Sequence, residues 1–113
     1  MTPPDNGLTA LRDELRAFCA ARDWHGYHTP KNLVMALSVE AAELVEHFQW
    51  ATPEESVAAD ADKRAAVADE IADVLIYLVE LADVMGIDPL AAARAKIVKN
   101  ALKYPAPAQE ERQ

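Results

Sequence analysis

The sequence predicts an all-α protein, an antiparallel bundle of four helices with a short fifth. The chain is 51% hydrophobic and rich in alanine, leucine and acidic residues, which favour helix. No stretch alternates apolar and polar residues with the β-branched enrichment of a strand. The connections between predicted helices are short, so neighbouring helices should pack antiparallel. At 113 residues we expect one domain over residues 8–104, with flexible ends at 1–7 and 105–113.

The first predicted helix covers about residues 8–22 and carries a narrow apolar stripe. The single cysteine, Cys19, lies on this stripe, and we assign it to the core. Residues 23–28 form a loop that is rich in aromatic and imidazole groups, which is unusual for a plain connection and indicates a functional role.

The second helix should begin with Thr29 as N-cap and Pro30 at the first helical position, and should extend to about Trp50. Its apolar residues surround it on nearly all sides, so the pattern predicts a buried helix. The segment Thr52–Glu55 then has the capping-box pattern, which predicts a short helical turn.

A long helix is predicted from about Lys63 to Met85, ending before Gly86, a residue suited to a helix C-terminus. Asp88 and the proline after it should open the last helix, which must end before Pro105 because proline cannot continue a helix.

Two acidic pairs interrupt these apolar helices. Glu40 and Glu43 lie on the second helix, and Glu70 and Asp73 lie on the long helix. A separation of three residues places both members of a pair on one helix face. Four carboxylates inside a bundle repel one another unless cations separate them, and hard carboxylate oxygens select Mg²⁺ or Mn²⁺. The pairs therefore predict a site where metal-activated water attacks phosphorus.

Two other interpretations of the pairs remain open. The acids could form a solvated or salt-bridged face, or they could belong to an oxygen-activating di-iron bundle. The di-iron interpretation is weakened because such sites use Glu-x-x-His, whereas His47 follows Glu43 by four positions and the Glu70 pair has no histidine. We do not assign His47 as a ligand.

The net charge of −8 argues against binding to polymeric nucleic acid, but not against a nucleotide held through cations. Residues 31–93 contain 13 acids against three bases, and a basic stretch that includes Lys96 follows. We find no signal peptide and no apolar run of the roughly 20 residues that a membrane span needs. We therefore expect a cytoplasmic protein without a membrane partner.

Together these features resemble the all-α nucleoside triphosphate pyrophosphohydrolases of the MazG-like superfamily, most closely the dCTP pyrophosphatase branch. The resemblance covers roughly residues 8–105. It is carried by Arg22-Asp23-Trp24, by residues 28–33, by Glu40-x-x-Glu43 through Phe48-Gln49-Trp50, by Asp69-Glu70-x-x-Asp73 through Leu78, and by Lys96, Asn100 and Tyr104-Pro105.

The resemblance implies Mg²⁺-dependent cleavage between the α and β phosphates of dCTP or a 5-modified dCTP, a homotetramer, and a role in nucleotide-pool sanitation. It implies that Glu40, Glu43, Glu70 and Asp73 bind the metal. It also implies that Trp24 and Trp50 pack against the base and that His28 lines the same pocket. The remaining substrate contacts would come from Tyr77, Lys96, Asn100 and Tyr104, and Lys31 would pair with a phosphate or with a metal-binding carboxylate.

The sequence leaves three points open: the general base, the preferred nucleobase and the alternative functions. The general base is not identified, and Glu43 or Glu46 would be tested first. Mammalian members carry a histidine on the first helix where this chain has Leu15, which leaves open which nucleobase the protein prefers. The alternatives are therefore another substrate, such as dUTP or a damaged dNTP, or a non-catalytic helical interaction module.

Because the second and long helices are too apolar for one chain to cover, we expect their outer faces to meet another subunit.

Overall fold

A computed structural model of the chain describes residues 7–107, which contain helices and no strand. A 3₁₀ turn, His25–Tyr27, separates the first two helices. The five α-helices are α1 (Gly7–Ala21), α2 (Pro30–Glu46), α3 (Pro53–Val57), α4 (Ala61–Val84) and α5 (Pro89–Lys103). The predicted all-α class is confirmed. Gly7 is helical rather than part of a flexible end, and the predicted tails otherwise fall mostly outside the described residues.

Side-chain caps fix the helix starts as predicted. The Thr29 hydroxyl accepts a hydrogen bond from the Asn32 amide at 3.2 Å. Thr52 and Glu55 form a complete capping box at α3. Asp88 accepts from two backbone amides at the start of α5. Each cap satisfies amides that would otherwise lack a partner in the first helical turn.

Two helix boundaries differ from the prediction. Helix α4 begins at Ala61, two residues early, because the Asp60 side chain caps it through the Lys63 amide at 2.8 Å. Helix α2 ends at Glu46 instead of continuing to Trp50. There the amide of Phe48 donates to the Val45 carbonyl, three residues back, at 2.9 Å, so the last turn tightens and the regular α-helix stops.

The core lies between α4 and the two helices that pack on it, α2 with the larger contact and α1 with the smaller. Its most buried side chain is Leu33 of α2, which is 1% exposed, and Val79 and Ala82 of α4 are buried with it. Cys19 is 3% exposed, which confirms its assignment to the core. Arg16 of α1 and Asp83 of α4 form a bidentate ion pair, in which the guanidinium donates two hydrogen bonds to the carboxylate at 2.9 and 2.5 Å.

Helix α5 does not pack extensively against any other helix described here, so the packed part of the single chain consists of α1, α2 and α4. The radius of gyration is 18.1 Å, whereas a compact domain of this length has about 13 Å. Ile97, Val98 and Leu102 of α5 are largely exposed. These apolar side chains are left uncovered in the single chain.

Helix α2 is also less buried than its composition predicts. Val34, Met35, Val39 and Val45 are each about half exposed in the single chain. The expectation that another subunit covers these faces stays a prediction. Over residues 7–107, no helix combines the length and the apolar character that a membrane crossing requires.

Candidate metal centre and adjoining cleft

The contact between α2 and α4 brings acids from both helices together. One carboxylate oxygen from each of Glu40, Glu43 and Glu70 lies within 4.8 Å of the other two. The fourth acid, Asp73, follows Glu70 by three residues on the same helix, and its charge raises the pKa of both Glu40 and Glu70. Three of the four predicted metal ligands therefore form one group, and Asp73 lies beside it.

Two carboxylate oxygens of this group are buried without a partner. Within the described residues, Glu40 Oε2 and Glu70 Oε2 make no hydrogen bond. The pKa of Glu40 is raised to about 7, first by burial and then by the hydrogen bond and the charge of Glu43. The pKa of Glu70 is also raised, first by burial and then by the charge of Glu43.

Such carboxylates need a proton or a cation, because burying an unpaired charge is costly. The available donors are all carboxylate oxygens, the ligand type that Mg²⁺ and Mn²⁺ prefer. The residues present therefore fit a hard divalent cation, with Glu40, Glu43 and Glu70 as the ligands that lie closest together.

His47 and Glu46 lie at the C-terminal end of α2 and differ in their relation to the carboxylate group. His47 Nε2 lies 3.9 Å from Glu70 Oε1, so a protonated His47 would form an ion pair with this acid. The four-residue spacing from Glu43 to His47 predicts only that these two residues share one helix face, not that His47 lies near Glu70. Glu46, a candidate general base, is exposed at the C-terminal end of α2 and lies outside the group.

A cleft of about 340 Å³ adjoins the carboxylates. Glu40 and Asp73 belong to its wall, together with three of the predicted substrate contacts, Trp24, His28 and Tyr77. The remaining lining comes from Leu11, Glu14, Leu15, Phe18, Ile76 and Glu80. Leu11, Leu15 and Phe18, which belong to the predicted apolar stripe of α1, face this cleft.

The end of α1 sets the position of Trp24. Asp23 adopts a left-handed backbone conformation with φ of 55°, and the Trp24 amide donates to the Cys19 carbonyl at 3.0 Å. This Schellman-type turn ends the helix and folds the chain back. The Trp24 ring consequently meets the Phe18 ring edge to face, with centroids 5.6 Å apart, and remains 43% exposed.

Tyr77 connects the cleft to the carboxylates. Its pKa is raised first by burial and then by the negative charge of Glu40, so the phenol remains protonated and can donate a hydrogen bond. The hydroxyl is thus suited to bind an oxygen acceptor of a ligand in the cleft.

Five predicted substrate contacts do not line the cleft in the single chain. Trp50 is 89% exposed and lies at the opposite end of α2 from Trp24. A helix of 17 residues is about 25 Å long, so Trp24 and Trp50 of one chain cannot enclose the same base. Lys31 is exposed at the start of α2, and Lys96, Asn100 and Tyr104 are exposed on or next to α5.

The fold and the site together define an all-α protein in which two packed helices supply an acidic group to an aromatic cleft. The sequence model of the MazG-like family matches residues 35–113. The chain belongs to the MazG-like family.

Similarity to individual proteins extends over most of the chain. It is 41% identical to dCTP pyrophosphatase 1 of Homo sapiens over 105 residues, which are 91% of this chain and 62% of that protein. It is 40% identical to the protein of the same name from Rattus norvegicus, over 90% of this chain and 61% of the relative. The chain thus spans about three fifths of the length of these relatives.

A solved structure matches at nearly full length. The crystal structure of a pyrophosphatase from Archaeoglobus fulgidus superposes with a TM-score of 0.86 at 43% sequence identity. The match covers 94% of this chain and 99% of the archaeal chain.

Proposed function

We propose that this protein is a Mg²⁺-dependent nucleoside triphosphate pyrophosphohydrolase that converts dCTP to dCMP and pyrophosphate. The observation that carries the proposal is the placement of Glu40, which belongs both to the buried carboxylate group and to the wall of the aromatic cleft. A ligand with a flat base in the cleft would bring its phosphates to the acids. Mn²⁺ is expected to substitute for Mg²⁺ because it accepts the same oxygen ligands.

The residues divide into two sets in this proposal. Trp24 and His28 pack against the base, with the apolar side chains of α1 excluding water from it. Tyr77 donates a hydrogen bond to the sugar or a phosphate. Glu40, Glu43, Glu70 and Asp73 hold the cation. When bound, Mg²⁺ neutralises the triphosphate and lowers the pKa of the water that attacks phosphorus.

Preference for cytosine is supported by the name of the relatives, dCTP pyrophosphatase 1, at about 40% identity. The cleft volume of about 340 Å³ is at the lower end of the range for small-ligand sites, as a single base with its sugar requires. Removal of dCTP or 5-modified dCTP would place the protein in nucleotide-pool sanitation.

We also propose that the active form is a homo-oligomer, a tetramer built from pairs. The support is geometric, because Trp24 and Trp50 lie at opposite ends of α2 and α5 is uncovered. In an assembly of copies, Trp50 and the polar residues of α5 from one subunit can complete the cleft of another.

Product analysis tests the reaction. The protein is incubated with each standard dNTP and with 5-methyl-dCTP in Mg²⁺, and products are separated by anion exchange. We expect dCMP and pyrophosphate in equal amounts, with dCTP or its 5-methyl form used fastest. Orthophosphate and dCDP would contradict cleavage between the α and β phosphates, and faster use of dUTP would contradict the cytosine preference.

A matched pair of variants separates this enzyme from a contaminant and from a non-catalytic module. Glu43→Gln removes a charge from the carboxylate group, whereas Glu54→Gln makes the same change at an exposed position of α3. Turnover lost in Glu43→Gln and kept in Glu54→Gln supports the proposal. Equal turnover in both variants, or none in the parent protein, would overturn it.

A further inference from the structure

A second group of metal-ligating side chains lies apart from the carboxylates that the proposed function uses. Cys19 Sγ of α1 is 3.8 Å from Nδ1 of His28, in the loop before α2, and 3.4 Å from Oε1 of Glu80 on α4. One ligand atom from each of the three residues lies within 4.8 Å of the others. Three separate parts of the chain therefore bring sulfur, nitrogen and oxygen to one point.

The two separations from the sulfur atom match those of a tetrahedral zinc site. With a Zn–S distance of about 2.3 Å and Zn–N or Zn–O distances of about 2.0–2.1 Å, tetrahedral angles place the sulfur about 3.6 Å from each other ligand. The observed separations from sulfur, 3.8 and 3.4 Å, differ from this value by about the same amount in opposite directions.

The same side chains border a small cavity of about 30 Å³. This space holds one ion or one water molecule, since a cavity needs about 10–15 Å³ for a water. His25 and Asp83 also belong to its wall. Asp83 is held by Arg16, so His25 or a water is the available fourth ligand.

We propose that Cys19, His28 and Glu80 form a second cation site, selective for Zn²⁺ or a similar thiophilic divalent ion. A sulfur–nitrogen–oxygen set favours Zn²⁺ over Mg²⁺, the reverse of the all-oxygen group at Glu40. A thiolate and a carboxylate together balance the charge of the ion. On binding, Cys19 Sγ loses to solvent the proton that it now donates to Glu80.

Occupancy of this site should affect the neighbouring cleft. His28 and Glu80 line both the small cavity and the larger cleft beside Trp24. A cation that binds Nδ1 fixes the imidazole and removes the charge of Glu80 from the cleft. This consequence rests on the proposed function, because it requires that a nucleotide binds in the cleft.

Cobalt binding tests the site directly. Co²⁺ is titrated into the purified protein in a large excess of Mg²⁺, which occupies the carboxylate group. We expect one equivalent to produce a sulfur-to-cobalt charge-transfer band in the near ultraviolet, and Zn²⁺ to abolish the band by displacement. Absence of the band would overturn the proposal.

Variants identify the ligands. The band should disappear in Cys19→Ser and weaken strongly in His28→Gln, and it should persist in Glu43→Gln, with circular dichroism verifying helix content in each. Two variants are used because Cys19 is buried and its substitution alone could unfold the chain. A band that survives in folded Cys19→Ser, or is lost in Glu43→Gln, would place the ion elsewhere and overturn the assignment.

A binding measurement tests the coupling. The affinity for a non-hydrolysable dCTP analogue is measured with and without one equivalent of Zn²⁺ in excess Mg²⁺. A several-fold change in the parent protein that is absent in Cys19→Ser supports coupling through His28, and an unchanged affinity overturns it. The cobalt band is independent of nucleotide, so failure of the proposed reaction and failure of the zinc site give different results.

Discussion

Glu40 and Glu70 lie on different helices, yet they present carboxylate oxygens within 4.8 Å of one another, and each has a buried oxygen, Oε2, without a hydrogen-bond partner in the part of the chain described. The contact of α2 with α4 is the most extensive helix packing in this chain, so it forces the two acids together. The main helix contact of the described chain therefore carries buried, mutually repelling carboxylates.

The first prediction concerns the stability of the metal-free protein. The pKa of Glu40 is about 7 in the folded chain against 4.5 as its ordinary value, so the folded state binds the proton more tightly. The stabilisation from this group is complete below pH 4.5 and is lost as the pH rises through about 7. In EDTA, the melting temperature should fall between pH 5 and pH 8.

Glu40→Gln provides the control for this pH dependence. The amide carries no charge, so the metal-free variant should melt at a higher temperature than the parent at pH 8 and should depend less on pH. It should also gain less stability from Mg²⁺, because it has lost a ligand. An unchanged pH profile in the variant would show that Glu40 does not cause the effect.

The second prediction concerns the metal ligands in catalysis. Glu43→Gln and Asp73→Asn should each reduce kcat/KM by about 100-fold or more, because even the partners that orient a metal ligand contribute 10–100-fold. The fold should be kept, since each change removes a repulsive charge. Initial rates at several Mg²⁺ concentrations measure the effect. A loss of less than about tenfold in Asp73→Asn would show that Asp73 is not a ligand.

The sequence was informative wherever the determining interaction is local. Thr29, Thr52 and Asp88 cap helices through amides two or three residues away, so their role can be predicted without the fold. The spacing within each acidic pair likewise fixes a helix face. The apolar surroundings of both pairs then indicated that the two faces meet.

Other features depend on contacts between distant segments or between chains. Cys19 and Glu80 are 61 residues apart, and no periodicity indicates their contact. The stripe that contains Leu15 has the same pattern whether it meets a core or a ligand cleft. Helix α5 makes no extensive contact with another described helix, and its own helical pattern does not indicate where it lies.

The third prediction concerns the core. Leu33→Ala should lower the free energy of unfolding by about 2–5 kcal/mol, because Leu33 is 1% exposed and its truncation leaves a cavity between α2 and α4. Urea unfolding monitored by circular dichroism measures the change. Val57→Ala is the control, since Val57 is 86% exposed, and its effect should be within about 0.5 kcal/mol. Equal effects in the two variants would contradict the assigned core.

The fourth prediction concerns binding of the nucleobase by Trp24. Trp24→Ala should raise KM for dCTP by roughly 5- to 150-fold, which corresponds to about 1–3 kcal/mol for stacking of one base on an aromatic ring. The change in kcat should be smaller, because Trp24 is not one of the acids proposed to bind the metal. Steady-state kinetics at saturating Mg²⁺ separates the two constants. A variant that loses kcat at unchanged KM would contradict a role in base binding.

The last prediction tests whether two subunits build one cleft. Trp24 and Trp50 are separated by the length of α2, so both can contact one base only if they come from different copies. Trp24→Ala and Trp50→Ala should each be impaired alone. Chains of the two variants, mixed and reassembled, should regain low-KM activity, because each mixed pair contains one site with both tryptophans and one with neither.

Random pairing restores the native combination at roughly a quarter of the sites, which sets the expected recovery. The control is a mixture in which Trp24→Ala chains meet chains that carry both substitutions. No pair in that mixture contains a complete site, so its KM should stay high. No recovery in the mixture of single variants would contradict a cleft built from two subunits. Recovery in the control would show that the regained activity does not depend on a site with both tryptophans.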